Sequence, residues 1–304
     1  MLPTPSLASF DYVKPASPQE VTKLLLKSNG AARLFMGGTD VFVRMRDGFF
    51  APQFLIDVKR LPGMTAIKFG KRAGLAIGAG VDMNTIARHP AVAENYPLLV
   101  QAIEAVASYQ LRTRATMGGN LCNASPAADT APAALVLGAN LVVHGRRGER
   151  VVPIEKFFVG PGKTAMKPGE FLLRIEIPPQ PAQRGAVGKY LKLGRNAHGD
   201  LAIVGVAVLG YPDKKAKSGF AFRIALASVA PTPIRVPSAE KILSASAITP
   251  EIIEAAADAA METAKPIDDV RSSAEYRKAM VRALTKRGVM EVWEAMKGSG
   301  VFHG

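Results

Sequence analysis

The stretch Leu34-Phe35-Met36-Gly37-Gly38-Thr39-Asp40-Val41 contains two adjacent glycines, and a second pair stands in Thr116-Met117-Gly118-Gly119-Asn120. Each pair follows a segment with the pattern of regular secondary structure and comes just before a small polar residue. Because glycine has no Cβ, its backbone can turn N–H groups toward one point and let an anion approach closely. Each stretch therefore has the character of an anion-binding loop, although an ordinary tight turn would explain either one alone.

The presence of both loops in one chain favours a single ligand that is held from two sides. Such a ligand would be bent and doubly phosphorylated, and a dinucleotide such as FAD fits this description. Two unrelated turns are the alternative.

The bulk composition is that of a globular protein with a substantial core. The 304 residues suggest two or three domains, and 48% are hydrophobic while 21% are charged. No apolar run approaches the roughly 20 residues of a membrane span. Residues 1–6 have neither the basic start nor the apolar core of a secretory signal. The single cysteine, Cys122, excludes an internal disulfide and an iron–sulfur cluster held by this chain alone, so we expect a cytoplasmic protein.

The formal net charge of +14 requires an explanation. Lysine and arginine could neutralise nucleic-acid phosphates, but here they are scattered among acidic residues, without a long basic run or basic–aromatic interleaving. We therefore expect no nucleic-acid partner. A solvated basic surface, or one that faces an acidic partner subunit, is the better interpretation.

The pattern of elements predicts an α+β fold. Ser17-Pro18-Gln19-Glu20 is a capping box that begins a helix, and Pro178-Pro179-Gln180-Pro181 is the clearest linker. The predicted strands are Arg33–Met36, Phe54–Val58, Leu75–Gly80, Leu141–Val143, Phe171–Ile177, Val187–Leu193, Leu201–Leu209 and Phe220–Ser228. The further predicted helices are Met83–Arg88, Leu98–Ala107, one around Ala133–Leu137, Pro250–Ala264 and Ala274–Met296. The last three strands suggest an antiparallel sheet.

Other possible motifs do not carry chemistry. Gly160-Pro161-Gly162-Lys163-Thr164 has Phe157 where a P-loop needs glycine, and Gly78-Ala79-Gly80-Val81-Asp82-Met83 lacks the third glycine of a Rossmann fingerprint, so both are interpreted as turns. The four histidines show no metal-ligand spacing, and neither a serine nor Cys122 has a nucleophile's context. We therefore predict no metal site and no catalytic side chain here, and any difficult chemistry would belong to a cofactor.

The two glycine-pair stretches, the second continued as Leu121-Cys122-Asn123-Ala124-Ser125-Pro126-Ala127-Ala128-Asp129-Thr130-Ala131-Pro132, closely resemble the FAD loops of molybdenum hydroxylase flavoproteins. These are the medium, FAD-binding subunits of xanthine dehydrogenase, carbon monoxide dehydrogenase and 4-hydroxybenzoyl-CoA reductase relatives. The resemblance continues through 169–178, 189–195 and 199–202. It implies a two-part FAD-binding domain of the PCMH/vanillyl-alcohol-oxidase-like type over residues 1–178. The family's C-terminal domain, an antiparallel sheet with helices, would occupy 182–298.

The resemblance also implies roles for matching positions. Leu34 to Val41 would wrap the FAD diphosphate, and Thr116 to Asn120 would complete the grip through N–H groups and the Thr116 hydroxyl. Asp129 matches a polar FAD contact, although a charge at a helix N-terminus is its alternative. The positions near the flavin ring are Leu172, Lys192 and Leu201, for which core packing or, for the lysine, solvation is the alternative.

One departure from the family is informative, because some 4-hydroxybenzoyl-CoA reductase flavoproteins carry a cysteine-rich insertion for a [4Fe–4S] cluster after the second loop. Here Cys122 runs directly into 123–126. The resemblance implies an electron-transfer subunit that takes electrons from a small [2Fe–2S] partner and passes them to an external acceptor. A large partner would hold the molybdenum cofactor, in a dimer of heterotrimers. A self-sufficient flavin oxidoreductase and a non-catalytic nucleotide-binding assembly module are the alternatives.

Overall fold

A computed structural model describes residues 7–179, 185–196 and 199–298 of the chain. The first part of the fold is a three-stranded parallel sheet in the order β1-β3-β2, in which helix α2 connects β2 to β3. Its elements are β1 (Asp11–Val13), α1 (Pro18–Lys27), β2 (Ala32–Phe35), α2 (Val41–Arg46) and β3 (Phe54–Asp57). The capping box is confirmed at the start of α1, where the Ser17 hydroxyl accepts a hydrogen bond from the backbone N–H of Glu20 at 3.2 Å.

The second part is a five-stranded antiparallel sheet in the order β4-β5-β10-β6-β7, with helices inserted after its second strand. Its elements are β4 (Ile67–Gly70), β5 (Gly74–Gly78), α3 (Met83–Arg88), α4 (Pro90–Asn95), α5 (Pro97–Glu104), α6 (Tyr109–Arg112), α7 (Met117–Asn123), α8 (Thr130–Val136), β6 (Asn140–Gly145), β7 (Gly148–Pro153), β8 (Phe158–Gly160), β9 (Lys163–Thr164) and β10 (Phe171–Ile177). Strands β8 and β9 form a separate hairpin, so the turn interpretation of 160–164 is confirmed.

The third part is a four-stranded antiparallel sheet in the order β11-β12-β13-β14, covered by helices. Its elements are β11 (Val187–Leu193), β12 (Val204–Pro212), β13 (Phe220–Ala227), β14 (Ile234–Arg235), α9 (Pro237–Ala245), α10 (Pro250–Thr263) and α11 (Ala274–Gly298). None of the helices in the described ranges is long and apolar enough to span a bilayer.

Strand β12 explains how the third part attaches to the rest. Ala207 and Leu209 pack into the same core as the second part, whereas Val206 and Val208 pack into a separate core with α10 and α11. Successive residues of a strand point to opposite faces of its sheet, so an uninterrupted apolar run is what a sheet buried on both faces requires. The C-terminal sheet is therefore held firmly against the first two parts, and the predicted α+β architecture is confirmed.

Several predicted bounds are confirmed and others are wrong. The predicted strands Phe171–Ile177 and Val187–Leu193 and the helix Met83–Arg88 have the bounds of β10, β11 and α3. The helix predicted over Leu98–Ala107 ends at Glu104, and Ala107 within the predicted span has a left-handed conformation with φ of 43°, which an α-helix does not contain. The strand predicted over Leu201–Leu209 begins only at Val204. Of the predicted linker, Pro178 and Pro179 follow β10, and residues 180 and 181 lie outside the described ranges, as do His198, His303 and residues 1–6.

Candidate functional site

A cavity of about 860 Å³ lies where the three parts of the fold meet. Its wall is formed by the loop after β2, the start of α7, the segment between α7 and α8, the β8–β9 turn, β10 and residues 199–201. Thirteen of the predicted site residues line it: Leu34, Met36, Gly37, Gly38, Thr39, Asp40, Val41, Thr116, Gly119, Asn120, Asp129, Leu172 and Leu201. Residues distant in sequence thus converge on one space, and its volume is in the range typical of cofactor pockets.

The first glycine-pair stretch presents a row of unused backbone donors. The N–H groups of Gly37, Gly38, Thr39, Asp40 and Val41 donate to no acceptor among the described residues, and all five residues line the cavity. Gly37, Gly38, Thr39 and Val41 are half-buried, and N–H groups out of reach of water are nearly always paired in folded proteins. A row of five without a protein acceptor is therefore a site that an anionic ligand can satisfy.

The glycines of this stretch are required by close approach as well as by backbone conformation. A Cβ on Gly37 would lie 2.1 Å from the carbonyl oxygen of Arg114, and a Cβ on Gly38 would lie 2.4 Å from the ring of Phe35. Gly38 also has φ of +74°, which a residue with a side chain rarely adopts. Gly37 thus lets the first stretch pack directly against the backbone that leads into the second.

An ion pair between Asp57 and Lys59 contacts the first glycine-pair stretch. The carboxyl of Asp57, at the end of β3, accepts a hydrogen bond from the Tyr12 hydroxyl at 2.5 Å and forms an ion pair with Lys59 at 2.9 Å. The Lys59 ammonium also lies 4.1 Å from the centre of the Phe35 ring and 3.5 Å from the carbonyl oxygen of Met36. Burial alone would raise the pKa of Asp57, but the hydrogen bonds from Tyr12 and Lys59 hold it below its ordinary value. Burial, together with Asp57, raises the pKa of Tyr12 to about 12.

The second glycine pair is the first turn of a helix, and the expectation of a loop is wrong. Thr116 is the N-cap of α7, and its hydroxyl accepts a hydrogen bond from the N–H of Gly119 at 2.9 Å. The N–H of Asn120 donates to the carbonyl oxygen of Thr116 at 3.0 Å, so neither donor is free for a ligand. Gly119 instead leaves its side of the helix uncovered, because a Cβ there would have just one atom of the described residues within 4 Å, the Thr116 hydroxyl oxygen.

Gly118, unlike Gly119, is required for packing between two parts of the backbone. A Cβ on Gly118 would lie 2.5 Å from the backbone oxygen of Ala79, so this glycine lets α7 pack against the turn after β5. The side chain of Asn120, on the cavity wall, accepts a hydrogen bond from the Thr130 hydroxyl at 2.6 Å. The start of α7 is therefore fixed from both sides before any ligand is present.

The cavity wall also carries a buried carboxyl group. Asp129 is only 5% exposed, and its two oxygens accept hydrogen bonds from the Tyr190 hydroxyl and the Lys192 ammonium, each at 2.8 Å. Burial raises the pKa of Asp129, while Lys192 and Tyr190 act in the opposite direction. Burial and the neighbouring carboxylate also raise the pKa of Tyr190 well above its ordinary value. Asp129 thus joins the cavity wall to β11 of the C-terminal sheet.

Two aliphatic side chains also face the cavity. Leu172 lies on β10 next to a register shift between Leu172 and Arg174, an irregularity of the kind that redirects side chains beside sites. Leu201 lies in the segment before β12 and is 61% exposed, so it is not a core residue.

Four predicted site residues lie outside the cavity wall. Phe35 packs edge-on against Tyr12 and Phe42, and Met117 is fully buried. Gly118 packs against Ala79, as described above. The Lys192 ammonium is directed to Asp129 and to the carbonyl oxygen of Ala105.

Other residues line the cavity without having been predicted. They include Arg33, Arg44, Phe50, Leu111, Pro161, Gly162, Met166 and Asp200. Arg44 follows Asp40 by one helical turn and has no ion-pair partner among the described residues, whereas the Arg33 guanidinium lies 4.9 Å from the centre of the Phe50 ring. Cys122 is also on the wall, and burial raises the pKa of its thiol to about 12, so it is no nucleophile at neutral pH. No group of three or more potential metal-binding side chains occurs within the described ranges.

Comparison with known proteins identifies the class of both regions. Residues 8–180 match the family model of the FAD binding domain in molybdopterin dehydrogenase, and residues 189–292 match that of the CO dehydrogenase flavoprotein C-terminal domain. The medium chain of carbon monoxide dehydrogenase from Hydrogenophaga pseudoflava is 33% identical over 93% of this chain and 97% of its own. A putative xanthine dehydrogenase FAD-binding subunit from Escherichia coli K12 is 30% identical over 90% of this chain and 93% of its own.

Solved structures agree with this class. A chain of the Hydrogenophaga pseudoflava carbon monoxide dehydrogenase that lacks the Mo-pyranopterin moiety superposes with a TM-score of 0.90 at 33% identity, covering 95% of this chain and 99% of that chain. A chain of quinoline 2-oxidoreductase from Pseudomonas putida 86 gives a TM-score of 0.87 at 28% identity, covering 97% and 99%. The chain belongs to the family of FAD-binding medium subunits of molybdenum hydroxylases. It is thus an FAD-dependent oxidoreductase subunit, and the predicted family and fold type are confirmed.

Proposed function

We propose that the cavity holds FAD with its diphosphate against the first glycine-pair stretch and the bare surface of Gly119. The observation that carries this proposal is the row of five N–H groups from Gly37 to Val41 on the cavity wall, which have no acceptor in the part of the chain that the structure describes. Backbone donors of this kind bind phosphate oxygens without the cost of reorganising side chains. The residues present therefore fit a diphosphate.

The charged residues of the wall fit a diphosphate at the first glycine-pair stretch. Arg33 and Arg44 line the wall, and Arg44 follows Asp40 by one helical turn, so a dianionic diphosphate bound there would benefit from a cation. The carboxyl of Asp129 is already partnered by Tyr190 and Lys192. The family resemblance implies that the flavin ring would lie near Leu172, Leu201 and Asp129.

This arrangement assigns binding and electrostatics to the chain rather than substrate chemistry. A bound flavin accepts or donates one or two electrons, which suits a junction between one-electron and two-electron carriers. Lys192 forms an ion pair with the wall residue Asp129 at 2.8 Å, which places a cationic side chain next to the site. Cys122 and the buried Tyr190 hold their protons at neutral pH, so neither acts as a base.

The electron path is the finer part of the proposal. We infer that electrons reach this chain from a small [2Fe–2S] subunit and leave to an external acceptor, while a large subunit holds the molybdenum cofactor. Relatives are named as the medium chain of carbon monoxide dehydrogenase and as an FAD-binding subunit of xanthine dehydrogenase, which supports a multi-subunit enzyme. A dimer of heterotrimers is proposed by analogy with the family.

Domain limits and location complete the proposal. We place the FAD-binding domain at 1–178 and the C-terminal domain at 182–298, in agreement with strand β10 ending at Ile177 and strand β11 beginning at Val187. The single cysteine supports a cytoplasmic location, because disulfides are rare there.

The proposal is tested by co-expression of the chain with its neighbouring reading frames. The assembled complex should be yellow-brown and should reduce an artificial acceptor dye with one of the substrates named for the relatives, carbon monoxide or xanthine. The chain expressed alone should bind FAD but show no turnover. Turnover by the chain alone would favour a self-sufficient flavin oxidoreductase, and FAD that stays oxidised in a turning-over complex would favour an assembly module. A colourless chain that takes up no added FAD would contradict the binding proposal.

A further inference from the structure

Arg277, on α11 of the C-terminal domain, is a fully buried arginine outside the cavity wall. Its side chain is 1% exposed. One terminal nitrogen donates hydrogen bonds to the carbonyl oxygens of Ile203 at 2.9 Å and Ser228 at 2.8 Å, and the other donates to the carboxyl of Asp269 at 2.7 Å. The guanidinium thus ties together three separate segments.

Asp269 holds a second arginine in the same cluster. Its carboxyl accepts from the guanidinium of Arg271 at 2.6 Å and from the backbone N–H of Arg271 at 2.8 Å. Arg271 in turn donates to the carbonyl oxygen of Ala202 at 3.1 Å. One carboxylate therefore orients two guanidinium groups, which hold the consecutive carbonyls of Ala202 and Ile203. We call Asp269, Arg271 and Arg277 the Asp269 clamp.

The groups held by the clamp lead directly to the cavity. Leu201 precedes the two clamped carbonyls and lies on the cavity wall. Ser228 has φ of +66°, and its N–H donates to the carbonyl oxygen of Pro126 at 2.7 Å. Pro126 is also a wall residue. The clamp thus joins two parts of the wall, although none of its own three residues lines the cavity.

Stability alone does not explain why the clamp is built from charged side chains. Burying a guanidinium carries a desolvation cost even when the group is paired, and apolar side chains of similar volume often stabilise a fold as well or better. The Nε of Arg277 is buried without a hydrogen-bond partner among the described residues, which adds to that cost. What the charged cluster supplies, and an apolar one would not, is a fixed position for two backbone carbonyls.

We propose that the Asp269 clamp consists of positioning residues that hold Leu201 against the bound flavin. This inference rests on the FAD site proposed above, and it extends that site into the C-terminal domain. An exposed leucine on an irregular segment would otherwise sample several positions, and ordering it after binding would reduce affinity. Loosening the clamp should therefore weaken FAD binding from a distance.

The test compares two carboxylate-to-amide substitutions in the full-length chain. Asp269→Asn weakens the clamp. Glu240→Gln is the matched control, because Glu240 is also a mostly buried carboxylate of the C-terminal domain, accepts two hydrogen bonds from Arg235 and one from the N–H of Ile224, and reaches no wall residue. FAD affinity is measured by titrating the apoprotein and following flavin fluorescence, and the visible spectrum of the bound flavin and the thermal midpoint are recorded in parallel.

We expect Asp269→Asn to raise the Kd for FAD at least tenfold and to alter the flavin spectrum, whereas Glu240→Gln lowers the thermal midpoint without changing Kd. Leu201→Ala should weaken binding too, and adding Asp269→Asn to it should cause little further loss, since both act through one side chain. Should Asp269→Asn fail to fold, Arg271→Leu serves instead, because it removes the bond to Ala202 and leaves Arg277 in place. Wild-type Kd and spectrum in a destabilised clamp variant would overturn the inference. Failure of the wild-type chain to bind FAD would instead overturn the proposed function.

Discussion

Gly119→Ala is the substitution that best separates FAD binding from folding. The added methyl group would meet only the Thr116 hydroxyl, at 2.9 Å, and would otherwise occupy open space on the cavity wall. Alanine is better than glycine inside a helix by about 1 kcal/mol, and displacement of the capping hydroxyl costs about 1 kcal/mol. The two effects oppose each other, so the free energy of unfolding of the apoprotein should change by less than about 1 kcal/mol.

The effect on the ligand should be larger. If the diphosphate lies against Gly119, the methyl group displaces it, and loss of even one charge-assisted hydrogen bond of roughly 1.5–3 kcal/mol corresponds to a tenfold to hundredfold rise in Kd. Gly119→Val should abolish binding. The assay is FAD titration of the apoprotein by fluorescence, with urea denaturation of the same samples.

Two neighbouring variants serve as controls. Gly118→Ala places a methyl group 2.5 Å from the backbone oxygen of Ala79, so it should destabilise the apoprotein by about 1–3 kcal/mol through overpacking. Gly298→Ala, at the end of α11 with nothing within 4 Å, should change neither property. Unchanged FAD affinity in Gly119→Ala and Gly119→Val would refute the placement of the ligand on α7.

Three further predictions follow from other parts of the site. Gly37→Ala should lower the thermal midpoint of the apoprotein, because its Cβ would lie 2.1 Å from the Arg114 carbonyl oxygen, and an unchanged midpoint would show that the two stretches do not abut. The pKa of Asp57 is lower in the folded chain than its ordinary value of 3.8, so this carboxyl contributes stability at neutral pH that is lost as pH falls below about 4. Stability measured by urea denaturation should therefore fall less between pH 5 and pH 3 in Asp57→Asn than in the wild type, and parallel curves would contradict the assignment. Lys192→Met removes the cation that lowers the pKa of Asp129, so this carboxyl should titrate at higher pH in the variant. If protonation of Asp129 affects FAD affinity, the pH at which the Kd for FAD changes should rise with it. The same pH dependence of Kd in variant and wild type would show that Asp129 is not coupled to the ligand.

The glycine-rich part of the site could be predicted because glycine, the residue without a side chain, is identified directly from the sequence. Gly37, Gly38 and Gly119 line the cavity as expected, and the strand β10 that carries Leu172 has its predicted bounds. In the sequence, β12 is recognisable only as an apolar run. That its two faces are buried in two separate cores is seen only in the structure. Its N-terminal bound was wrong because Leu201 continues that run in sequence while leaving the sheet in space.

The residues that sequence reasoning missed come to the cavity through tertiary packing. Arg44 is one helical turn beyond the glycine-pair stretch, and Pro161 lies in the β8–β9 turn, whose phosphate-loop character was correctly rejected although the turn reaches the same cavity. The family resemblance implied that Lys192 and Asp129 both lie near the ligand, but it did not give their contact with each other. In the fold the two side chains form an ion pair.

A crystal structure of the full-length chain loaded with FAD is the direct measurement of where the diphosphate binds. The phosphate oxygens should lie within hydrogen-bond distance of N–H groups in the 37–41 stretch and in van der Waals contact with Gly119. Density for the diphosphate elsewhere, with those N–H groups bonded only to water, would contradict the account.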